Sequence, residues 1–268
     1  MRDEFPTDRT HRRQKSKDIT PILKGWEYEP GAINVRRIIG ADGTPKVQMR
    51  LDLGLLQMEL DGRPDGVRPH GCESLLEYHE RRLRRHLRHH GTEEGFRLTR
   101  AQCQSLREEA LMYYHRYLSL FVLGEFAGVA RDTKRNLRVL DFCGRFAADE
   151  EDRLILEQYR PYVIMMHTRA MATLEMEAGR DRRALRIVRR GLRDIRAFFE
   201  RFGHEEAYSQ ANEVKVLRQL GRQLLKRIPV DPVRKLQKEL QRAVRDERYE
   251  EAARLRDELL KLRPPHAG

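Results

Sequence analysis

Apolar side chains recur at every second residue in one early stretch of this chain, and at helical spacing through most of the remainder. In the early stretch Val47, Met49, Leu51 and Leu53 alternate with Gln48, Arg50 and Asp52. Ile33, Val35 and Ile39 precede them across a Gly- and Pro-bearing loop at 40–45. A period of two places alternate side chains on one face, so the pattern predicts an antiparallel hairpin with one wet face. After Gly54 the parity shifts to Leu56, Met58 and Leu60, and such a slip beside a glycine suggests a β-bulge. The expectation is a small sheet within 19–66. Residues 73–90 then carry Leu75, Leu76, His79, Leu83 and Leu87 at helical spacing. Thr99 and Gln102 read as a capping box opening a central core helix that runs to about 128. Leu137, Val139, Leu140, Phe142 and Phe146 define another helix, and the acids at 149–152 suit the start of the next. Pro161 should kink or restart that helix. A helical pair over 162–202 turns at Gly179, with Asp181 as the cap, and a last long helix covers about 205–227. The predicted fold class is mainly α with a small N-terminal antiparallel sheet, its helices forming hairpins or a bundle over 72–228.

A final helical pair occupies 231–263, after a short hinge at 230–232. Its first helix offers a narrow apolar stripe of Val233, Leu236, Leu240, Ala243 and Val244. On the second, Tyr249, Ala252, Ala253, Leu255, Leu259, Leu260 and Leu262 spread over roughly half the circumference at 100° per residue. Arg256 alone interrupts them. A hairpin of the two therefore leaves part of the wider face uncovered, and something else must cover it.

These residues carry a resemblance. The run Tyr249-Glu250, Ala252-Ala253, Leu255-Arg256-Asp257 and Leu259, preceded by Leu236, Leu240 and Ala243, looks like the UVR motif. Tyr249 stands where that family usually has Phe, and Leu240 where it often has Met. The motif is the helical hairpin that joins UvrB to UvrC, and it also occurs in some Clp ATPases and in the zinc-binding activator of a protein-arginine kinase. The resemblance implies a UVR-like C-terminal hairpin whose partner is a second UVR hairpin or another helical surface. It nominates Leu236, Leu240, Ala243, Tyr249, Ala252, Ala253, Leu255, Arg256, Asp257 and Leu259 as partner-binding residues. In the 162–202 pair, the small-residue spacing and the Gly179-x-Asp181 turn look like a single degenerate tetratricopeptide repeat; a plain helical hairpin is the alternative.

Composition adds a second candidate partner. The chain of 268 residues has a formal net charge of +12, with charged residues at 36% and aromatics at 7%. That balance favours solvent-laced helices, and the charge implies a soft attraction to nucleic acid or acidic proteins, although charge alone is not a binding site. The basic side chains gather in a tail at 1–18, expected to be disordered, and in Arg81, Arg82, Arg84, Arg85 and Arg88 on the 73–90 helix. Arg36, Arg37, Lys46 and Arg50 with Trp26 offer a further, base-stacking possibility on the sheet, although Trp26 also reads as a core anchor. His86 and His90 stand at metal-sharing spacing without a third ligand, and Asp52, Glu59, Asp61 and Asp65 lack the spacing of a calcium loop.

Chemistry is otherwise sparse. Cys72, Cys103 and Cys143 are odd in number with no CxxC, which argues for a reducing cytoplasm and against a disulfide framework or structural zinc. The most apolar window, 111–130, contains His115, Arg116 and Glu125, so a buried helix is expected there and no membrane partner. No phosphate-binding loop, nucleophile elbow, zinc-protease or dinucleotide fingerprint occurs, so no catalytic residue, cofactor or metal is expected. The sequence thus points to a non-enzymatic adaptor that docks a protein partner through its C-terminal hairpin, and the UVR resemblance implies a link to excision repair or Clp-type protein quality control. The alternative is a nucleic-acid-associated accessory using the arginine-rich helix and basic tail.

Overall fold

The computed structural model describes residues 18–229 and 232–262. The basic tail, apart from Asp18, and the hinge residues 230 and 231 lie outside the described residues. The chain divides into two compact units, Met1–Glu157 and Gln158–Gly268. The helical body expected over 72–228 is therefore two bodies.

In the first unit, a short helix α1 (Thr20–Leu23) leads to strands β1 (Val35–Ile39), β2 (Pro45–Leu51) and β3 (Gly54–Glu59). They form one antiparallel sheet in that order. The parity shift after Gly54 is a two-residue turn, not a bulge. Leu51 pairs with Gly54, Met49 with Leu56 and Val47 with Met58. Across an even-numbered loop, facing residues have opposite parity, so an apolar set that is odd on β2 must be even on β3. Leu53, which continues the alternation in the sequence, sits at the turn and is 90% exposed. Val47, Met49 and Met58 are buried on the inner face, and β2 lies against the long helix α3 (Arg100–Val122).

Helix α2 (Leu75–His90) starts at Ser74, whose hydroxyl accepts from the Glu77 N–H, and stops at Gly91 in a left-handed conformation. Helix α3 opens with the anticipated capping box at Thr99 and Gln102. It ends at Val122 rather than near 128. Gly124 (φ 76°) reverses the chain, and α4 (Phe126–Phe146) runs back along α3. A hydrophobic core lies where α2, α3 and α4 meet the loop bearing Phe96 and Leu98. A short α5 (Glu150–Leu154) follows, fixed by buried Asp152 accepting from Arg107 at 2.5 Å. The fold brings Cys103 and Cys143, far apart in sequence, together as free, buried thiols between α3 and α4, and the neighbouring thiol with burial pushes the Cys143 thiol up.

Two buried charge clusters between α3 and α4 tie this unit together. Arg116 donates two bonds to Asp132, at 2.7 and 2.9 Å, and a third to the Glu59 carbonyl at the end of β3. Glu109 accepts from Arg135 and from the Leu75 and Leu76 N–H groups, at 2.8 and 3.3 Å for the amides. A carboxylate from α3 thereby satisfies free amides in the first turn of α2.

In the second unit, α6 (Arg160–Glu177) starts afresh with Pro161 in its first turn. Helix α7 (Asp181–Arg201) returns along it after Gly179. Asp181 is the first helical residue rather than the cap; its carboxylate receives Arg227 at 3.2 Å. Gly191 sits against Thr168, so close that a Cβ there would lie 2.2 Å from the threonine hydroxyl oxygen. The last long helix is broken into α8 (Glu205–Tyr208) and α9 (Asn212–Arg227). The break tucks Tyr208 against α7, where its hydroxyl donates to the Leu192 carbonyl. Helix α9 then packs on both α6 and α7.

Candidate functional site

The expected hairpin forms, from α10 (Pro232–Arg245) and α11 (Tyr249–Leu262), which pack on each other. Its turn is a Schellman arrangement. The Arg248 N–H donates to the Ala243 carbonyl at 2.9 Å and the Glu247 N–H to the Val244 carbonyl at 3.2 Å. Glu247 occupies the left-handed position (φ 58°) that glycine usually fills. Arg248 braces the turn, bonding Asp246 at 3.0 Å and Glu251 at 2.5 Å. Glu250 and Glu251 place negative charge in the first turn of α11, where the helix dipole favours it.

The ten nominated residues divide into two sets. Leu236, Ala243 and Ala252 are buried, and Leu240, Leu255 and Leu259 half-buried, along the seam between the helices. Ala243 and Ala252 carry only a methyl group each at this seam. Tyr249, Ala253, Arg256 and Asp257 are exposed. At 100° per residue, Tyr249, Ala253, Arg256 and Leu260 fall on one straight line along α11. Tyr249 is 68% and Leu260 61% exposed. Val244, at the end of α10, is 52% exposed. The seam is thus satisfied by the hairpin itself, while a second apolar line remains open beside it. Leu260, absent from the motif pattern, belongs to that open line, and its i, i+11 relation to Tyr249 was the signal for it. Arg256 interrupts the line and pairs with its own neighbour Asp257 at 2.9 Å, not with α10.

The arginines nominated for nucleic acid lie on α2, but not as a uniform patch. Arg81 pairs with Glu77 at 2.6 Å, and Arg82 turns its guanidinium over Phe96 and toward His79. Arg84, Arg85 and Arg88 are exposed. The basic groups of the sheet are engaged as well. Arg36 stacks on the Trp26 ring at 3.9 Å, Arg50 donates to the Trp26 carbonyl, and Lys46 lies between Asp42 and Glu59. Trp26 is half-buried under Arg36, neither a core anchor nor an open stacking platform. His86 directs Nε2 to the Glu94 carbonyl at 2.8 Å. Among the described residues, no group of three or more His, Cys, Asp or Glu is placed to hold a metal. No described helix is long and apolar enough to cross a membrane.

Comparison with known families agrees with the hairpin. Residues 231–263 match the UVR family, described as the UvrB/uvrC motif. The class is thereby defined for the C-terminal hairpin, and the match does not extend to the preceding residues. Neither the curated proteins nor the solved structures gave a match.

Proposed function

We propose that this chain is a non-enzymatic adaptor that docks a protein partner through the open side of its C-terminal hairpin. The partner would be a second UVR-type hairpin or another helical surface. The observation carrying this reading is the line of Tyr249, Ala253 and Leu260, which stays uncovered although the hairpin has closed its own seam. Full burial of a large apolar side chain contributes about 1.5–3 kcal/mol. Covering what remains exposed of Tyr249 and Leu260 therefore amounts to roughly 2–4 kcal/mol, or about thirty- to a thousandfold in affinity. Arg256 at the centre of the line would fix register and partner choice more than strength. A link to excision repair or to Clp-type protein quality control rests on the UVR resemblance.

The test is a Tyr249→Ser/Leu260→Ser double variant of the full chain, compared with wild type by crosslinking and mass spectrometry of what is attached. Both side chains are largely outside the seam, so circular dichroism and melting should be nearly unchanged while specific partners are lost. If the double variant keeps every partner, docking through α11 is wrong. Leu255 and Leu259 are unsuitable targets, because a charge at either seam position would open the hairpin and remove partners for a trivial reason.

A further inference from the structure

Helix α7 carries eight arginines against Asp181, Asp194 and Glu200. Five of them, Arg182, Arg186, Arg189, Arg193 and Arg196, recur at intervals of four and three. That spacing aligns them on one face of a helix. All five are exposed, and the line extends about 21 Å at 1.5 Å per residue. Arg182, Arg186, Arg189 and Arg193 form no ion pair among the described residues. The fifth, Arg196, stacks on Tyr208 at 4.9 Å, and Arg218 of α9 approaches the same ring at 5.4 Å. Tyr208 therefore joins the α7 line to a second basic strip, Lys215, Arg218 and Arg222, on the exposed side of α9. At the other end the line runs into a cleft of about 500 Å³ at the start of α7, lined by Arg180, Arg182, Arg183 and Arg186 and by Asp181, which is paired with Arg227.

We infer that this ridge is a contact surface for the sugar–phosphate backbone of a nucleic acid. Glu175 of α6, which bonds Arg180, offsets part of the charge at Arg186. Among the described residues the five guanidiniums otherwise lack a paired carboxylate, so they repel one another, and a polyanion laid along them relieves that repulsion. Guanidinium also matches phosphate oxygens in a two-point fork that an ammonium cannot make. An acidic protein is the weaker match. Protein interfaces centre on apolar or aromatic anchors, and α7 exposes no large hydrophobic side chain. The same lack of exposed aromatics on α7 removes base stacking, so contact is to the backbone and independent of base sequence. This assigns nucleic acid to α7 rather than to the α2 arginines, and it is independent of docking through α11.

The experiment measures binding of the full chain to labelled duplex DNA and single-stranded RNA by fluorescence anisotropy across a salt series. The variants are Arg186→Gln/Arg189→Gln/Arg193→Gln on α7 and, as the comparison, Arg84→Gln/Arg85→Gln/Arg88→Gln on α2. Each phosphate neutralised contributes about 0.9 to the slope of log K against log salt on duplex. The α7 triple variant should therefore flatten the duplex slope by about 2.7, while the α2 variant leaves most of it in place. Which of the two nucleic acids binds more tightly at matched salt identifies the backbone preferred. An unchanged slope in the α7 variant overturns the assignment. So does absence of binding to either nucleic acid at low salt, or displacement of both by polyglutamate at equal charge concentration.

Discussion

Replacing Glu109 by Gln tests whether the first unit depends on a buried carboxylate rather than on its apolar core alone. Glu109 is fully buried, and its two oxygens receive Arg135 and the amides of Leu75 and Leu76; Arg63 stands 3.3 Å away. The change keeps the shape and removes the charge. Arg135, only 8% exposed, then loses its ionic partner, and uncompensated burial of one member of such a pair costs about 3–5 kcal/mol. A glutamine amide also presents a donor where at least one backbone N–H needs an acceptor, which frees the first turn of α2. Against a typical total stability of roughly 5–15 kcal/mol this is a large fraction. The assay is urea unfolding together with native-state hydrogen exchange at Leu75 and Leu76. Expected are a midpoint shift equivalent to about 3–5 kcal/mol and faster exchange of those two amides than of interior α2 amides. A loss below about 1 kcal/mol with both amides still protected would refute the claim that this carboxylate joins α2 to α3.

Two further outcomes follow from the packing. Gly191→Ala places a Cβ 2.2 Å from Thr168 Oγ1 and 2.7 Å from its Cγ2, and Thr168 is buried and stiff at χ1. Overpacking should exceed the gain in helix propensity and destabilise the second unit by about 1–3 kcal/mol in a thermal melt. Adding Thr168→Ala should recover most of the loss, and a neutral single variant would mean that α6 and α7 are not held this closely. Burial, with the nearby Arg82 and His70, holds the His79 imidazole down at about 4 from its ordinary 6.5. The unfolded chain therefore binds the extra proton across that window. Stability is complete above about pH 6.5 and falls as pH drops toward 4, by roughly 2–3 kcal/mol. His79→Leu should remove this part of the acid sensitivity; a variant that melts with the same pH profile as wild type contradicts the attribution.

The sequence by itself determined the elements whose causes are local. The capping box at Thr99, the restart at Pro161, the strand alternation through Val47 and Met49, and the two apolar faces of the C-terminal hairpin all rest on residues a few positions apart. The hairpin even declared its imbalance, since a face spanning half of α11 cannot be hidden by the narrower stripe of α10. What the tertiary structure decided depends on which distant residues meet. Parity alone could not separate a bulge from a two-residue turn until the pairing partner of Met49 was known. Leu255 and Tyr249 carry equal weight in the motif, yet packing against α10 sends one into the seam and leaves the other open. Glu109, Arg116, Asp132 and Arg135 read as charged residues amid helical apolar patterns, and only the approach of α3 to α4 turns them into buried pairs. The arginines of α7 were legible as a helical line but not as an exposed one. That this line stays open came from α6 and α9 packing against the rest of α7, and a sequence does not say what lies across.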